Sequence, residues 1–425
     1  MLAVVDRIRI VCSVVVGGLL CAASSSAQQN PGALGPRLLN EAALRTAVES
    51  AQRLEAQVLA DQISLCEIPA PPFGEETRAA LYHERFKELG LSDVKIDDAG
   101  NVIGVRRGLR TRPNLVLSAH LDTVFPAGTD VTVSHNGILL TGPGIGDDCR
   151  GLAVILGVAR ALDDAGVMTT GTITFVGTVG EEGLGDLRGV KHLFGTELNG
   201  RVDRFVSVEG AGLGITNMAI GSLRYRIAFR GPGGHSFSAF GLASPVHALG
   251  RLINMISDFD VPTVPKTTFT VGRIGGGTSV NAIASDAWAE VDLRSTSTAA
   301  LDRLATNFRR AVQQALLLEN ARWGRGDQLS VTVEKVGERP TGETHVDTPI
   351  VRAALSVSEA LGVRPLLSSG STDANIPMSL GIPAIAIGGG GSGTGVHSEH
   401  EAFDSTNSAL GTGRAILLAV ALTEQ

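Results

Sequence analysis

Helical repeats of apolar residues alternate with short apolar runs along the first half of the chain. The helical spacing predicts amphipathic helices over 39–65, 75–89 and 151–162. The uninterrupted apolar runs predict buried strands over 114–118, 172–179 and 204–208. This alternation is typical of an α/β domain with a mostly parallel central sheet that helices cover.

The pattern changes after about residue 213, where strands with one polar face begin. Predicted strands in this part cover 223–229, 267–274, 287–293 and 329–336, and predicted helices cover 243–259 and 300–318. Their order, β-α-β-β-α-β, is that of a ferredoxin-like unit. The α/β pattern then resumes, with a helix over 347–361, a strand over 382–387 and a helix over 407–422. We therefore expect a ferredoxin-like α+β domain inserted into the α/β domain.

The length of 425 residues also favours two domains, because one hydrophobic core rarely serves so long a chain. The predicted division is a signal peptide over 1–27, a linker over 28–38, the first part of the α/β domain over 39–213, the inserted domain over 214–336, and the second part of the α/β domain over 337–425.

The first residues have the pattern of a secretory signal. Arg7 and Arg9 are basic, residues 10–23 are apolar, and small residues precede a cleavage point after Ala27. An uncleaved anchor is the alternative, but the apolar run is short for a membrane span. We expect cleavage, an exported protein that is periplasmic or secreted, and no stable membrane span afterwards.

Charge and cysteine content narrow the classes of partner. The formal net charge is -7 and basic residues do not cluster, which disfavours binding to nucleic acid. Cleavage would remove Cys12 and Cys21 and leave Cys66 and Cys149, too few for a disulfide framework. Whether these two cysteines pair stays open.

Acidic and histidine residues follow predicted strands or turns at five places, where open α/β sheets collect functional groups. They are His120 with Asp122, Asp147 with Asp148, Glu181 with Glu182, Glu209, and His397 after a glycine loop. Each alone has an ordinary interpretation, such as a chance pair in a loop, a helix cap or a solvated turn. Together they supply imidazole and carboxylate ligands of the kind that zinc accepts.

An aspartate at the turn before the helix at 151–162 can bridge two cations, which would lie about 3.5–4 Å apart, although a helix cap is the better interpretation of this motif alone. Such a pair of ions lowers the pKa of a shared water and polarises a carbonyl group. A dication would also offset the repulsion between Glu181 and Glu182. Glu181 would then take the proton of the water as general base and pass it to the leaving nitrogen.

Five stretches of sequence occur in an order that is specific to one family, although each alone is a weak signal. They are SAHLDTVFP (118–126), GPGIGDDCRG (142–151), GTVGEEGLGD (177–186), SVEG (207–210) and GVHSEHEAF (395–403). The chain resembles the co-catalytic dizinc peptidases of metallopeptidase family 20, which include peptidase T, the glutamate carboxypeptidases, aminoacylase and the succinyl-diaminopimelate desuccinylases. It looks closest to the peptidase T-like members. The inserted domain resembles the lid or dimerisation domain of that family.

The resemblance implies a role for each residue of the predicted metal site. By this resemblance, His120 and Glu209 would bind one zinc ion, Glu182 and His397 would bind a second, and Asp147 would bridge the two. Asp122 would orient the ring of His120, and Glu181 would be the general base. Cobalt or manganese would accept the same ligands.

Four further residues match positions that act on substrate in the family. His235, in the sequence GGHS, matches a lid histidine that often reaches the partner subunit's site and stabilises the oxyanion; a turn residue is the alternative. Asn281 and Arg294 match contacts to the substrate terminus, and a surface salt bridge is the alternative for Arg294. Ser371 lies in a turn that resembles one lining the family's pocket. The match implies a homodimer through the lid domain.

These observations favour a metal-dependent exopeptidase that cleaves small peptides. Deacylation of N-acyl amino acids would use the same residues and remains an alternative. A metal-binding protein without turnover is disfavoured because the ligands and the base are all present. A serine nucleophile is disfavoured because no Gly-x-Ser-x-Gly elbow lies between a strand and a helix.

Overall fold

The computed structural model describes residues 31–323 and 326–424 of the chain. The predicted signal peptide over 1–27 lies outside the described residues. The α-helices are α1 (Leu34–Asn40), α2 (Ala42–Cys66), α3 (Glu76–Glu88), α4 (Cys149–Asp164), α5 (Arg188–His192), α6 (Pro245–Ser257), α7 (Thr298–Arg322), α8 (Pro349–Ala360), α9 (Asn375–Ser379) and α10 (Ala409–Glu424). Short 3-10 turns lie at Pro31–Ala33 and Gly183–Gly185, and a π-helical turn lies at Leu193–Glu197.

The strands belong to a large central sheet, a sheet in the inserted domain and two small sheets. They are β1 (Ser92–Ile96), β2 (Val102–Arg106), β3 (Asn114–His120), β4 (Ser134–Asn136), β5 (Leu139–Thr141), β6 (Thr172–Thr178), β7 (Arg204–Val208), β8 (Ile215–Ala219), β9 (Gly221–Arg230), β10 (Gly234–His235), β11 (Thr267–Gly276), β12 (Ala282–Ile283), β13 (Asp286–Ser295), β14 (Ser330–Arg339), β15 (Gly342–Glu343), β16 (Leu367–Gly370), β17 (Ala384–Ile387), β18 (Ser392–Thr394) and β19 (Ala402–Asp404).

The central sheet has the order β1-β2-β6-β3-β7-β17-β8-β15, and β16 pairs with β8 beside this path. The neighbours β6, β3, β7 and β17 at its centre are parallel. The flanking pairs β1 with β2, β2 with β6, β8 with β17 and β8 with β15 are antiparallel, whereas β16 pairs with β8 in parallel. The parallel sheet that the sequence predicts is therefore the centre of a mixed sheet, and its carboxyl ends meet at one edge.

Alternate residues of the central strands face two separate cores, as the two-residue period of a strand requires. Leu115 and Leu117 of β3 pack into the core that contains buried residues of α2, α4, α8 and α10. Val116 faces the opposite core, which is closed by residues of the segment 187–202 and of α9. Helix α10 is buried on nearly all sides because it packs against α2, α4 and α8.

The described part of the predicted linker over 28–38 is helical instead. Helix α1 packs against α8, and Leu38 is fully buried. The backbone N–H of Gly35 donates to the hydroxyl of Ser356 at 3.0 Å. Gly and Pro in this segment suggested a linker, but its leucines supply an apolar face that the core accepts.

The inserted domain has its own sheet, with the order β11-β13-β9-β14 and antiparallel pairing throughout. Helices α6 and α7 pack on this sheet around a separate core that includes Phe229, Leu252 and Phe308. This order and the connections through α6 and α7 are those of the predicted ferredoxin-like unit. We call this part of the chain the lid.

The limits of the inserted domain differ from the predicted 214 and 336. Strand β8 pairs with β17, β16 and β15 and therefore belongs to the central sheet. Strand β14 continues to Arg339, which pairs with Ser222 of β9. The lid thus runs from Gly221 to Arg339, because the sheet pairing rather than the hydrophobic pattern decides where each domain ends.

A small antiparallel sheet, β18-β19-β5-β4, was not predicted from the sequence. Most of its residues are exposed, so no apolar run marks it. It joins two distant loops: β5 leads into residues 142–148, and residues 395–401 connect β18 to β19.

The structure also bears on membrane association and on the two cysteines Cys66 and Cys149. Among the described residues, no helix combines the length and the apolar character that crossing a membrane requires. Cys66 and Cys149 are both buried and are free thiols.

Candidate metal centre

Three parallel strands bring their carboxyl ends together at the edge of the central sheet. His120 is the last residue of β3 and lies opposite Thr178, the last residue of β6. Glu181 and Glu182 follow β6, and Glu209 follows β7, which pairs with β3 on its other side. The parallel register therefore places these predicted residues side by side.

The small sheet brings the remaining two predicted ligands to the same edge. Asp147 lies in the loop after β5, and His397 lies in the loop between β18 and β19. His397 has a left-handed backbone conformation, with φ of 66°. Such a conformation is uncommon outside glycine and is often retained at functional sites.

Asp147 lies between two imidazole rings and directs one carboxylate oxygen to each. Its Oδ1 is 3.0 Å from Nε2 of His120, and its Oδ2 is 3.2 Å from Nε2 of His397. The same nitrogen of each ring also lies near a second carboxylate. Nε2 of His397 is 3.0 Å from Oε1 of Glu182, and Nε2 of His120 is 3.8 Å from Oε2 of Glu209. The structure therefore brings together all five residues of the predicted metal set.

The orientation of His120 involves Asp122, but not in the way that the sequence suggested. Nδ1 of His120 donates to the backbone carbonyl oxygen of Asp122 at 2.9 Å, whereas the carboxylate oxygen is 3.7 Å away. Both carboxylate oxygens of Asp122 accept from backbone N–H groups instead, those of Glu181 at 2.9 Å and Glu182 at 2.8 Å. A carbonyl can only accept, so Nδ1 carries a proton, and Nε2 is the nitrogen that faces the carboxylates.

Asp148 has a different role from its neighbour Asp147. Its carboxylate accepts from the backbone N–H groups of His120 at 2.9 Å, Gly210 at 2.8 Å and Gly151 at 3.1 Å. The last of these bonds caps helix α4. Although Asp148 lies close to His120 and Glu209, its oxygens are already satisfied by backbone donors. The helix-cap interpretation of this acidic pair is therefore realised on Asp148, and Asp147 remains the predicted bridging ligand.

Glu401 supports the loop of Asp147, a role that was not predicted from the sequence. Its Oε1 accepts from the N–H groups of Gly146 at 2.8 Å and Asp147 at 2.9 Å, and its Oε2 accepts from Gly144 at 3.2 Å. Burial raises the pKa of Glu401 to about 7, against the effect of these three hydrogen bonds. Its position in GVHSEHEAF gave no sign of this role, because Glu399 and His400 beside it have similar chemistry.

The carboxylate of Glu181 forms a buried ion pair with Arg339, which was not predicted either. Nη1 of Arg339 lies 3.0 Å from Oε1 of Glu181, and Nη2 donates to the backbone carbonyl of the same residue. Nη1 also donates to the hydroxyl of Ser371 at 3.2 Å. Arg339 ends a strand whose residues are mostly exposed, so its burial could not be inferred from the sequence pattern.

The protonation of the site reflects its crowded charges. Burial raises the pKa of Glu181 to about 8, although the guanidinium of Arg339 acts in the opposite direction. Hydrogen bonds to Asp147 and Glu182 raise the pKa of His397 to about 10. Burial alone would raise the pKa of Asp147, but hydrogen bonds from the two imidazoles hold it below its usual range. The negative charge of Asp147 and its neighbouring carboxylates therefore favours a positive charge at His120 on one side of Asp147 and at His397 on the other.

Histidine and carboxylate groups at this edge lie close enough to hold a metal ion, in the sets His120, Asp147, Glu182 and His120, Asp148, Glu209. Ligand atoms about 2.0–2.2 Å from a tetrahedral zinc ion lie ~3.3 Å from one another. The separations of 3.0 and 3.8 Å around His120, and of 3.0 and 3.2 Å around His397, lie close to this value. Burial also raises the pKa of Glu209, so this carboxylate would gain from a nearby cation.

A cavity of about 390 Å³ opens in front of these residues. Two of the predicted substrate-binding residues, Arg294 and Ser371, line it, together with Arg224 and Arg339. Arg294 also realises its alternative interpretation, because its Nε lies 2.6 Å from a carboxylate oxygen of Asp292.

The other two predicted substrate residues, His235 and Asn281, do not line this cavity. They lie next to each other on the lid, where β10 pairs with β12 and the N–H of Ser236 donates to the carbonyl of Asn281 at 2.9 Å. Both are exposed. Within one chain, His235 therefore does not face the cavity in front of the predicted metal ligands.

Two imidazoles on either side of one carboxylate at a sheet edge are typical of the metallohydrolase class of proteins. Within that class, the chain belongs to peptidase family M20/M25/M40, whose sequence model matches residues 116–423. The resemblance inferred from the motifs is confirmed.

Known proteins support this assignment along most of the chain. The uncharacterized protein YqjE of Bacillus subtilis (strain 168) is 25% identical over 354 residues, which cover 78% of this chain and 90% of YqjE. A tripeptidase from Staphylococcus aureus subsp. aureus Mu50 has a similar structure, with a TM-score of 0.72, 23% identity, and coverage of 87% of this chain and 99% of the other. The aminopeptidase PepT from Bacillus cereus ATCC 10987 has a TM-score of 0.69 and 20% identity, with the same coverage. These two structures share the fold.

Proposed function

We propose that this protein is a metal-dependent exopeptidase that removes a terminal residue from small peptides and uses two zinc ions. The observation that carries this proposal is the position of Asp147, with one carboxylate oxygen at each of two imidazoles. A buried carboxylate, that of Glu181, lies in the same cavity without being part of that cluster. A shared ligand and a separate base are the parts that hydrolysis by two ions requires.

In this proposal, His120, Asp147 and Glu209 hold one ion, and His397, Asp147 and Glu182 hold the other. The ions would supply Lewis acidity, which makes water more acidic and polarises the carbonyl of the scissile bond. Glu181 accepts the proton of the attacking water and donates it to the leaving nitrogen. Burial raises the pKa of Glu181, which makes its carboxylate a stronger base than an exposed one.

The cavity suits a small substrate with a free carboxylate. Its volume of about 390 Å³ is close to the lower end of ligand pockets, and Arg224 and Arg294 line it beside the pair of Arg339 and Glu181. An arginine fork binds a carboxylate in a bidentate manner. Short peptides and N-acyl amino acids both have such a group, so the deacylase alternative shares this feature.

We also propose that a second copy of the chain completes the site. His235 and Asn281 are exposed on the lid, away from the metal set of their own chain. The apolar side chains of Phe237 and Val280, beside these two residues in sequence, are also exposed. A homodimer through the lid would cover this apolar surface and bring His235 to the partner's oxyanion. We further propose that the predicted signal peptide, residues 1–27, directs export of the protein.

The test is a kinetic comparison of wild type with Glu181→Gln on dipeptides, tripeptides and N-acetyl amino acids. Loss of the general base should lower kcat by roughly 10²–10⁴-fold, while the metal content stays equal to that of wild type. Glu359→Gln is the matched control, since Glu359 is exposed on α8.

Equal turnover by wild type and Glu181→Gln would contradict the mechanism. Hydrolysis of N-acetyl amino acids without hydrolysis of any peptide would establish the deacylase instead. Retained metal with no turnover on any substrate would favour a binding protein.

A further inference from the structure

The two catalytic glutamates lie in a loop that is held by the lid. We call residues 180–187, which follow β6, the glutamate loop. Within it only the short 3-10 turn Gly183–Gly185 is regular. Gly180, Gly183, Asp186 and Leu187 have left-handed φ values of 66°, 50°, 55° and 59°. A loop of this kind has few hydrogen bonds of its own, so contacts from outside must fix its position.

Asp122 of the catalytic domain supplies two of those contacts, to the backbone N–H groups of Glu181 and Glu182. The others come from the ends of two neighbouring lid strands. Arg339, at the end of β14, donates to both the side chain and the backbone carbonyl of Glu181. The N–H of Glu338 donates to Oδ1 of Asp186 at 2.9 Å. Arg224 of β9, which lies opposite Gly337 in the same sheet, donates to the carbonyl of Gly183.

A further bond runs in the opposite direction, from the catalytic domain to the lid. Nζ of Lys191, in α5, donates to the carbonyl of Glu338 at 2.8 Å and to Oδ2 of Asp186 at 2.6 Å. The glutamate loop is thus attached to the lid at its beginning, its middle and its end.

The bond between Arg339 and Glu181 is the most buried of these contacts. The side chains of Arg339 and Glu181 are only 4% and 6% exposed. Charge-assisted hydrogen bonds are strong in such surroundings, and the planar guanidinium fixes the direction of the carboxylate. A shift of the lid would therefore move the carboxylate of Glu181 with it.

We infer that Arg339 is a positioning residue: it holds the carboxylate of Glu181 at the angle that catalysis needs, and it ties that angle to the position of the lid. This inference rests on the proposed function of Glu181. The competing role is direct binding of substrate, since Arg339 lines the same cavity. The two roles differ in the kinetic constant that they affect, because a substrate contact contributes to KM and a misplaced base lowers kcat.

The experiment compares Arg339→Ala, Arg339→Lys and Asp186→Ala with wild type. Arg339→Ala should lower kcat by roughly 100-fold, with KM within about twofold and metal content unchanged. Arg339→Lys should keep a kcat of at least about a tenth of the wild-type value, because the lysine retains one donor to Glu181. Asp186→Ala, which loosens the loop without touching the cavity, should lower kcat by about tenfold. Arg273→Ala is the control, since Arg273 is an exposed lid residue.

Hydrogen exchange of the peptide that covers the glutamate loop gives a readout that does not need activity. Exchange should be several-fold faster in Arg339→Ala and Asp186→Ala than in wild type or Arg273→Ala. A raised KM with an unchanged kcat in Arg339→Ala would overturn the inference and make Arg339 a substrate ligand. Unchanged loop exchange in both variants would also overturn it. If wild type has no turnover but the exchange pattern is as expected, the proposed function fails while the attachment of the loop to the lid stands.

Discussion

Neighbouring acidic residues in this site have the same charge but different surroundings, and the surroundings decide their roles. The oxygens of Asp148 accept from three backbone N–H groups, whereas those of Asp147 face two imidazoles. In the same way, Glu182 meets His397 while Glu181 meets Arg339. The role of each carboxylate therefore depends on which hydrogen-bond donors contact it.

The metal-free protein should lose stability above neutral pH through His397. Its pKa is raised from 6.5 to about 10 by Asp147 and Glu182. Because the folded-state pKa lies above the unfolded one, the stabilisation is complete below about pH 6.5 and is lost as the pH rises towards 10. The ring is half exposed, so we expect a loss of about 1–2 kcal/mol rather than the full linkage value. Urea denaturation with a chelator at pH 6, 8 and 10 measures it.

His397→Gln provides the comparison for this prediction, because an amide cannot take up the proton. The variant should be less stable than wild type at pH 6 and should show a flatter dependence on pH. If wild type and His397→Gln lost the same free energy of unfolding between pH 6 and 10, the assigned cause would be wrong.

The sequence predicted the residues of the site that directly follow apolar strands, but not those that support them. His120 and Glu209 each end or follow a buried strand, which made their position at a sheet edge predictable. Glu401 and Arg339 have no such mark. The oxygens of Glu401 find the amides of a loop more than two hundred residues earlier, and only the fold brings them together.

Secondary structure elements differ in how well the hydrophobic pattern reveals them. Strands β3, β6 and β7 are buried along their length, and their apolar runs predicted them. Strands β4 and β18 are three residues long and exposed, so they have no apolar period to detect. Yet the small sheet to which they belong positions both Asp147 and His397. The part of the fold that completes the site was therefore the part that the sequence concealed.

Two glycines in helices should respond oppositely to replacement by alanine. At Gly151, in the first turn of α4, an added Cβ would lie 2.3 Å from both the carboxylate of Asp148 and the backbone oxygen of Val208. This crowding should destabilise the protein by about 1–3 kcal/mol, since the backbone of β7 cannot move aside. At Gly250, in α6, an added Cβ meets no atom within 4 Å. Here alanine should stabilise the helix by about 0.5–1 kcal/mol.

Urea denaturation of Gly151→Ala and Gly250→Ala measures both effects. Gly250→Ala serves as the control for the substitution itself. Equal stability of Gly151→Ala and wild type would mean that the turn from Asp148 into α4 is less tightly packed than described.

The whole molecule consists of a catalytic domain and a lid that meet beside the metal set. The lid contributes Arg224, Arg294 and Arg339 to the cavity in front of the site, but it keeps His235 exposed elsewhere. The hydrophobic pattern and the chain length predicted this division into two domains. It did not predict their contacts, because the residues that join lid and catalytic domain are polar and lie at strand ends.

A mixture of two inactive variants tests whether His235 acts on the partner subunit. In a dimer of Glu181→Gln with His235→Ala, one site has an intact base and receives an intact histidine from the other chain. After subunit exchange, an equal mixture should therefore regain about a quarter of wild-type activity. Steady-state rates before and after exchange give the result.

No recovery on mixing, in a sample that sedimentation shows to be dimeric, would place His235 in its own chain's site or outside the reaction. A sample that stays monomeric at working concentration and has full activity would exclude the dimer from the mechanism.

Elemental mass spectrometry of purified wild type, Asp147→Ala and Glu181→Gln after dialysis measures whether two metal ions share Asp147. Two ions per chain in wild type and in Glu181→Gln, and a loss of both in Asp147→Ala, are the predicted results, because Asp147 is shared and Glu181 is not a ligand. Two ions retained by Asp147→Ala, or an active wild type with no bound metal, would contradict the account.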